Sequence, residues 1–111
     1  MYMHRLIILS GLLCMLSSSQ SKPPAALISQ DQMVAILVDL ELAQAMVDHY
    51  TSDEDTARWL FERNALLIYQ AHETDLDTFQ ESYRYYLTHL ETMEEVYAQV
   101  IEQIEALSEQ L

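Results

Sequence analysis

Apolar residues near the end of the chain recur at alternating intervals of four and three positions. The series consists of Met93, Tyr97, Val100, Ile104, Leu107 and Leu111. Because this spacing keeps side chains on one side of an α-helix, it predicts a helix with an apolar stripe. Val96 and Ile101 widen the stripe, so we expect the helix to pack against two neighbours. An isolated helix of this length is marginal in water, so other helices or a partner must cover it.

The preceding chain also predicts helices, and no alternating pattern indicates a strand. Ser29 and Gln32 form a capping box at the start of the first helix, and Ile28 is placed as a hydrophobic staple for Met33. Short polar connections separate the later segments. The expected helices cover about residues 29–50, 53–73, 75–87 and 89–111. We therefore predict an all-α fold, a small antiparallel helical bundle of three to four helices.

Start signals for the later helices lie in these polar connections. Cap residues beside acids occur at 51–55 and 74–77, and Thr88 with Glu91 forms another capping box. Helical spacing also gives the expected core. In the first three helices it consists of Met33, Ile36, Leu37, Leu40, Ala43 and Val47, then Ala57, Leu60, Phe61, Leu67 and Ile68, then Phe79, Tyr83, Tyr86 and Leu87.

The amino-terminal residues have the organisation of a secretory signal. Arg5 provides a positive charge, residues 6–16 form an apolar run too short to span a bilayer, and residues 17–19 are serines. A buried first helix is the alternative, but Gly11 and the Ser- and Pro-containing stretch that follows argue against it. We expect a signal peptide at 1–19, a linker or tether at 20–28 and a helical domain at 29–111.

Cys14 is the single cysteine, so no disulfide can form within one chain. One interpretation is lipidation of Cys14 after signal removal, which would make the following residues a tether. The other is that Cys14 is a small apolar residue discarded with the signal. Leu13 stands where bacterial lipoprotein signals favour Gly, Ala or Ser, and this favours the second interpretation.

The charge balance excludes one class of partner. After cleavage following Ser19 the chain would keep four basic and 18 acidic residues, a net charge of −14. A field of this sign repels nucleic-acid phosphates and anionic lipid surfaces, whereas it favours basic partners. We therefore expect no nucleic-acid binding, and membrane association only through a lipid anchor.

The polar residues offer little sign of catalysis. His49 with Asp53, and His72 with Asp75, are spaced so that a metal could be shared, but two ligands do not make a site. Both pairs lie at predicted helix ends, where the helix dipole explains them. We expect no enzyme, metal or cofactor.

Four residues are candidates for a protein interface: Asp39, Arg84, Tyr85 and Tyr86. Asp39 interrupts the most apolar part of the first helix. It either contacts a partner or Arg84, or lies at a helix edge, and the edge position is favoured. Arg84 and Tyr85 together have the composition of an interface hot spot.

Two motifs carry a family resemblance. The first is Met-x-x-Ile-Leu-x-Asp-Leu-x-Leu-Ala at residues 33–43, and the second is Ser-x-x-Tyr-Tyr at residues 82–86. With them, the chain from about residue 22 to 107 resembles the envelope proteins of Bacteroidota grouped as domain of unknown function 4296. The resemblance implies a small, exported, usually lipid-anchored helical protein of the periplasm or outer membrane of a Gram-negative bacterium, and implies no catalytic activity. A glycine often found in the family before the second motif has no counterpart near His72 and Glu73.

Two hypotheses of function follow. The first is a non-enzymatic interaction module or adaptor, in which the acidic bundle docks on a larger envelope protein. The second is a periplasmic holdase-like protein whose groove, lined by Met33, Met46 and Met93, binds apolar client segments. The sequence also leaves open a bundle completed by a second copy of the chain.

Overall fold

The computed structural model describes residues 24–110, which fold into four helices without a strand among them. The helices are α1 (Gln30–Tyr50), α2 (Glu54–Ala71), α3 (Leu76–Leu87) and α4 (Leu90–Glu109). The all-α bundle is thus confirmed, with helix bounds close to those expected. The expected signal peptide at 1–19, the candidate lipidation residue Cys14 and the last stripe residue Leu111 lie outside the described residues.

Helix α1 lies at the centre of the bundle, where it packs against both α2 and α4. Its first half is buried on most of its circumference, at Met33, Val34, Ile36, Leu37, Val38 and Leu40. Consecutive buried positions are expected of a helix covered on several sides. The sequence pattern predicted a single stripe and therefore missed Val34 and Val38.

Helices α1 and α2 form an antiparallel pair. A connection of three residues, Thr51 to Asp53, joins them, and such short loops place consecutive helices side by side. The start of α1 also meets the end of α2, because the side-chain amide of Gln32 donates to the carbonyl oxygen of His72 at 2.8 Å.

Two capping predictions need correction. Ser29 does cap α1, with its hydroxyl oxygen accepting from the Gln32 backbone N–H at 3.2 Å, but the Gln32 side chain bonds across to α2 and does not complete a box. Thr88 belongs to the end of α3, where its hydroxyl donates to the Tyr85 carbonyl oxygen. The N-cap of α4 is His89, which makes no side-chain capping bond.

The other two helix starts are capped as expected. Asp53 accepts from the Thr56 N–H at 2.9 Å and Asp75 from the Thr78 N–H at 2.8 Å. These bonds hold the pKa of each carboxyl below its usual range; the Thr56 hydroxyl has the largest effect on Asp53, and the Thr78 backbone N–H on Asp75.

These two caps should make stability depend on acid pH. A carboxyl with a lowered folded pKa stabilises the fold above its unfolded pKa, and the stabilisation is lost as the pH falls through the folded value. As the pH falls below about 4, the usual value for an unfolded aspartate, the melting temperature of the wild type should therefore fall relative to that of D53N/D75N, whose amide caps do not titrate. Thermal melts followed by circular dichroism test this, and parallel acid profiles would contradict it.

The end of α2 contains a left-handed residue that is not glycine. Glu73 has φ 57°, the Glu73 N–H donates to the Gln70 carbonyl oxygen at 3.0 Å, and the Thr74 N–H donates to that of Tyr69 at 2.9 Å. This pair of bonds is a Schellman motif, whose left-handed position is most often filled by glycine. The turn near His72, where the family resemblance leads us to expect a glycine, therefore keeps a glycine-like conformation with Glu73 in the left-handed position.

Glu73→Gly should consequently stabilise the fold. Relief of the left-handed strain is worth about 1 to 2 kcal/mol and exceeds the roughly 0.5 to 1 kcal/mol entropy cost of glycine. We expect a gain of about 0.5 to 1 kcal/mol in chemical denaturation. Gln70→Gly, in the helical region of the same turn, should instead destabilise. A loss of stability in the Glu73 variant would contradict the assignment.

The core register is correct in part. In α2 the buried residues are Ala65 and Tyr69, whereas Leu67 was expected in the core and is exposed. In α3 Phe79 and Tyr86 are buried as expected, but Leu87 is exposed. The stripe on α4 is buried at Met93, Val96 and Val100, half-buried at Tyr97 and Ile104, and exposed at Ile101 and Leu107.

Candidate functional site

The segment before α1 is held by two side chains of α3. The hydroxyl oxygen of Ser82 accepts from the Ile28 N–H at 3.0 Å, and the Tyr86 hydroxyl donates to the Ile28 carbonyl oxygen at 2.6 Å. All three residues are buried. Leu27 also packs against the core, so Leu27 and Ile28, which the sequence analysis assigns to a linker, belong to the packed domain. We call this arrangement of Ile28, Ser82 and Tyr86 the Ile28 clamp.

The Ile28 clamp assigns a structural role to Tyr86, which the sequence placed among the interface candidates. Its side chain is only 5% exposed, and burial, followed by the neighbouring Tyr85, raises the pKa of its phenol. Tyr86 therefore holds the fold together and offers almost no surface to a partner.

Asp39 also has a partner inside the chain. Its carboxylate lies 2.7 Å from Nε2 of His72, so it bridges α1 to the end of α2. The suggested contact of Asp39 with Arg84 does not occur, since Asp39 contacts His72. Asp75, which is spaced in the sequence to share a metal with His72, caps α3. The edge position expected for Asp39 agrees with its half-buried state.

Arg84 and Tyr85 lie on the outside of α3. Arg84 is exposed, and within residues 24–110 no acid forms an ion pair with it. Tyr85 is half-buried, with its ring centroid 4.3 Å from that of His89 and its ring edge-on to Tyr86. Of the four interface candidates, Arg84 and Tyr85 are the ones that remain on an open surface beside each other.

A larger apolar surface lies along one side of the α1–α2 pair. Met46 is 70% exposed, Tyr50 82% and Leu67 61%. Two grooves adjoin there, since both are lined by Met46 and Asn64. We call this the hairpin surface, and define it by Ala43, Met46, Tyr50, Leu60, Asn64 and Leu67.

The sequence pattern contained the signal for this surface. Ala43, Met46 and Tyr50 follow the spacing of one helix face, as do Leu60, Asn64 and Leu67. Of these, Ala43, Leu60 and Leu67 were assigned to the core. Apolar periodicity shows that a face is to be covered but does not show by what.

The methionine groove of the holdase hypothesis has a different lining. Met33 and Met93 are buried in the core, and Met46 lies on the hairpin surface. The three residues therefore do not line one groove.

Residues 24–110 contain neither a membrane-spanning helix nor a cluster of metal ligands. No helix in that part of the chain is long and apolar enough to cross a bilayer. Over the same residues, no three side chains of His, Cys, Asp or Glu come together as metal ligands would.

Comparison with protein families gives one match. The family model described as domain of unknown function (DUF4296) matches residues 24–110, which is most of the chain. The chain belongs to this family. No match was found among curated proteins or among solved structures.

The two motifs that carry the family resemblance have structural roles in this chain. The first motif, at residues 33–43, builds the buried half of α1 and places Asp39 against His72. The second, at residues 82–86, contributes the Ser82 and Tyr86 bonds of the Ile28 clamp. Both motifs therefore serve the fold, and the first also contributes Asp39 and Ala43 to the lining of one groove at the hairpin surface.

Proposed function

We propose that this protein is a non-enzymatic interaction module of the cell envelope, which binds a protein partner through the hairpin surface. The observation that carries the proposal is the exposure of Met46, Tyr50 and Leu67 side by side. Grouped apolar side chains on a protein surface mark interaction sites more often than isolated ones do.

The charge of the domain supports a basic partner. Residues 24–110 contain 18 acids against three arginines. One of these, Arg58, lies near Asp55, and Arg63 lies over the Trp59 ring at 5.0 Å. A field of this sign speeds association with a positively charged surface and disfavours nucleic acid.

Export is part of the proposal. It is motivated by the signal-like residues 1–19 and by the resemblance to envelope proteins, with a lipid at Cys14 as one means of anchoring. Mass spectrometry of the mature amino terminus, on protein recovered from the cell envelope, would identify the cleavage site and any lipid.

The test of the interaction is site-specific photo-crosslinking in the native cell. A crosslinker at position 46 of the full-length protein should capture one dominant envelope protein, whereas the same group at Gln103 of α4, which is also exposed, should not. Self-crosslinking would establish a homo-oligomer, and a broad spread of unfolded proteins would favour the holdase; either would overturn the proposal.

A matched pair of variants separates the surface from general charge effects. Leu67→Glu and Gln70→Glu both place a carboxylate at an exposed position of α2, but only position 67 lies on the hairpin surface. Both should fold, since exposed substitutions usually change stability by about 0.5 kcal/mol or less. We expect Leu67→Glu alone to abolish partner capture; equal capture by both variants would contradict the proposed site.

A further inference from the structure

Another groove lies where all four helices meet, and aromatic rings dominate it. Its lining includes Glu41 of α1, Phe61 and Tyr69 of α2, Phe79 and Tyr83 of α3, and Tyr97 of α4. We call it the aromatic groove. It holds about 280 Å³, several times the ~30 Å³ share of one water molecule, so a short alkyl chain fits.

The aromatic groove is separate from the hairpin surface. Met46 lies five positions after Glu41 along α1, which corresponds to about 140° around the helix. The two regions also have no lining residue in common. A ligand of one can therefore be present or absent independently of the other.

The rings of the groove are fixed by contacts with one another. Tyr69 and Phe79 stack with centroids 4.9 Å apart, and Phe79 and Tyr83 follow at 5.8 Å. The hydroxyls of Tyr83 and Tyr97 are 2.8 Å apart and share a hydrogen bond. Because the positions of these rings are already set, a ligand would not have to order them on binding.

Glu41 adds a negative charge to this lining. It is exposed, and no lysine or arginine among the described residues lies in the groove or pairs with it. Its field reaches the phenols: burial, the Tyr83 hydrogen bond and then the Glu41 charge all raise the pKa of Tyr97. A carboxylate beside electron-rich rings attracts an organic cation by charge and by cation–π contact.

We propose that the aromatic groove binds the cationic end of a lysine or arginine side chain presented by a protein partner. The proposal rests on the proposed function, since it takes the partner to be a protein. The apolar rings accommodate the alkyl stem of such a side chain, while Glu41 meets its charge. The acidic balance of the domain favours a basic partner over a neutral one.

The test uses small probes on the full protein purified from its native host. Calorimetric titration with butylammonium or propylguanidinium should show binding at least about fivefold tighter than that of neutral butan-1-ol, which has a similar shape but no charge. Glu41→Gln should weaken cation binding about fivefold or more. The matched control Glu102→Gln removes the same charge from an exposed site outside the groove and should change it by less than about twofold.

Two results would overturn the inference. One is cation binding no tighter than that of butan-1-ol. The other is an equal loss in the two glutamine variants, because it would indicate a diffuse field and not a site.

The crosslinking experiment at position 46 separates this failure from that of the proposed function. Partner capture without cation binding would defeat the groove alone. Cation binding without a captured partner would defeat the proposed function, together with the protein side chain as the occupant of the groove.

Discussion

Replacing Ile36 with alanine should lower the free energy of unfolding by about 2 to 5 kcal/mol. Ile36 is completely buried in the first half of α1, which packs against both α2 and α4. Truncation loses the transfer free energy of the removed carbons and leaves a cavity that close-packed neighbours fill only in part. Since small domains are stable by only about 5 to 15 kcal/mol, the loss is a large fraction of the total.

The matched control is Ile101→Ala on α4, where the same atoms are removed from a side chain that is 57% exposed. Its effect should stay below about 1 kcal/mol. Urea denaturation measures both, and Ile36→Val, with an expected cost of about 0.5 to 1.5 kcal/mol, gives a milder variant if the alanine form does not fold. Equal losses at positions 36 and 101 would mean that α4 packs differently from the described arrangement.

Removing the hydroxyl of Tyr86 should cost about 1 to 3 kcal/mol, even though the ring remains. In Tyr86→Phe the buried carbonyl oxygen of Ile28 loses the donor that the structure provides at 2.6 Å. Ser82→Ala removes the acceptor of the Ile28 N–H and should have an effect of similar size. Because both bonds hold the same residue, the double variant should cost less than the sum of the single ones.

Tyr85→Phe provides the control, as the same change on a half-buried neighbour that takes no part in the Ile28 clamp. It should alter stability by about 0.5 kcal/mol or less. Hydrogen exchange at the Ile28 amide gives a local readout, since exchange should accelerate in Ser82→Ala and Tyr86→Phe only. Additive losses in the double variant, or unchanged exchange, would show that the clamp does not act as one unit.

Local chemistry explains why the helices could be predicted from the sequence. Asp53 and Asp75 accept hydrogen bonds from N–H groups three residues away, so a short stretch of sequence is enough to predict their capping role. Gln32 shows where such reasoning fails. Its side chain could bond to the nearby backbone in a capping box or to the distant His72 carbonyl oxygen. The packing of α1 against α2 favours the bond to His72.

Burial was harder to predict, because apolar periodicity identifies the apolar face of a helix but not which other helices cover it. Val34 and Val38 lie outside the single stripe but are buried, since α1 is covered from several sides. Leu67 has the spacing of a core residue and is exposed. The difference depends on which helices pack together, and one helix pattern does not contain that information.

The candidate sites show the same limit. Asp39 is an interface candidate because it interrupts the most apolar part of the first helix, and Tyr86 because it belongs to a tyrosine-rich segment. In both cases the group is used by the chain itself, on His72 and on Ile28. Neither the hairpin surface nor the aromatic groove could be read from one helix, because each is assembled from at least two.

The Ile28 clamp also affects the order in which parts of the chain become fixed as the protein is synthesised. Its bonds join residues that are 54 and 58 positions apart in the chain. The chain is synthesised from its amino terminus, so the backbone groups of Ile28 cannot be paired with Ser82 and Tyr86 until α3 has been synthesised. The first part of the domain to leave the ribosome is thus among the last to be fixed, and such distant contacts slow folding through the entropy of loop closure. Under the export proposed above, this delay would help to keep the chain unfolded for transport.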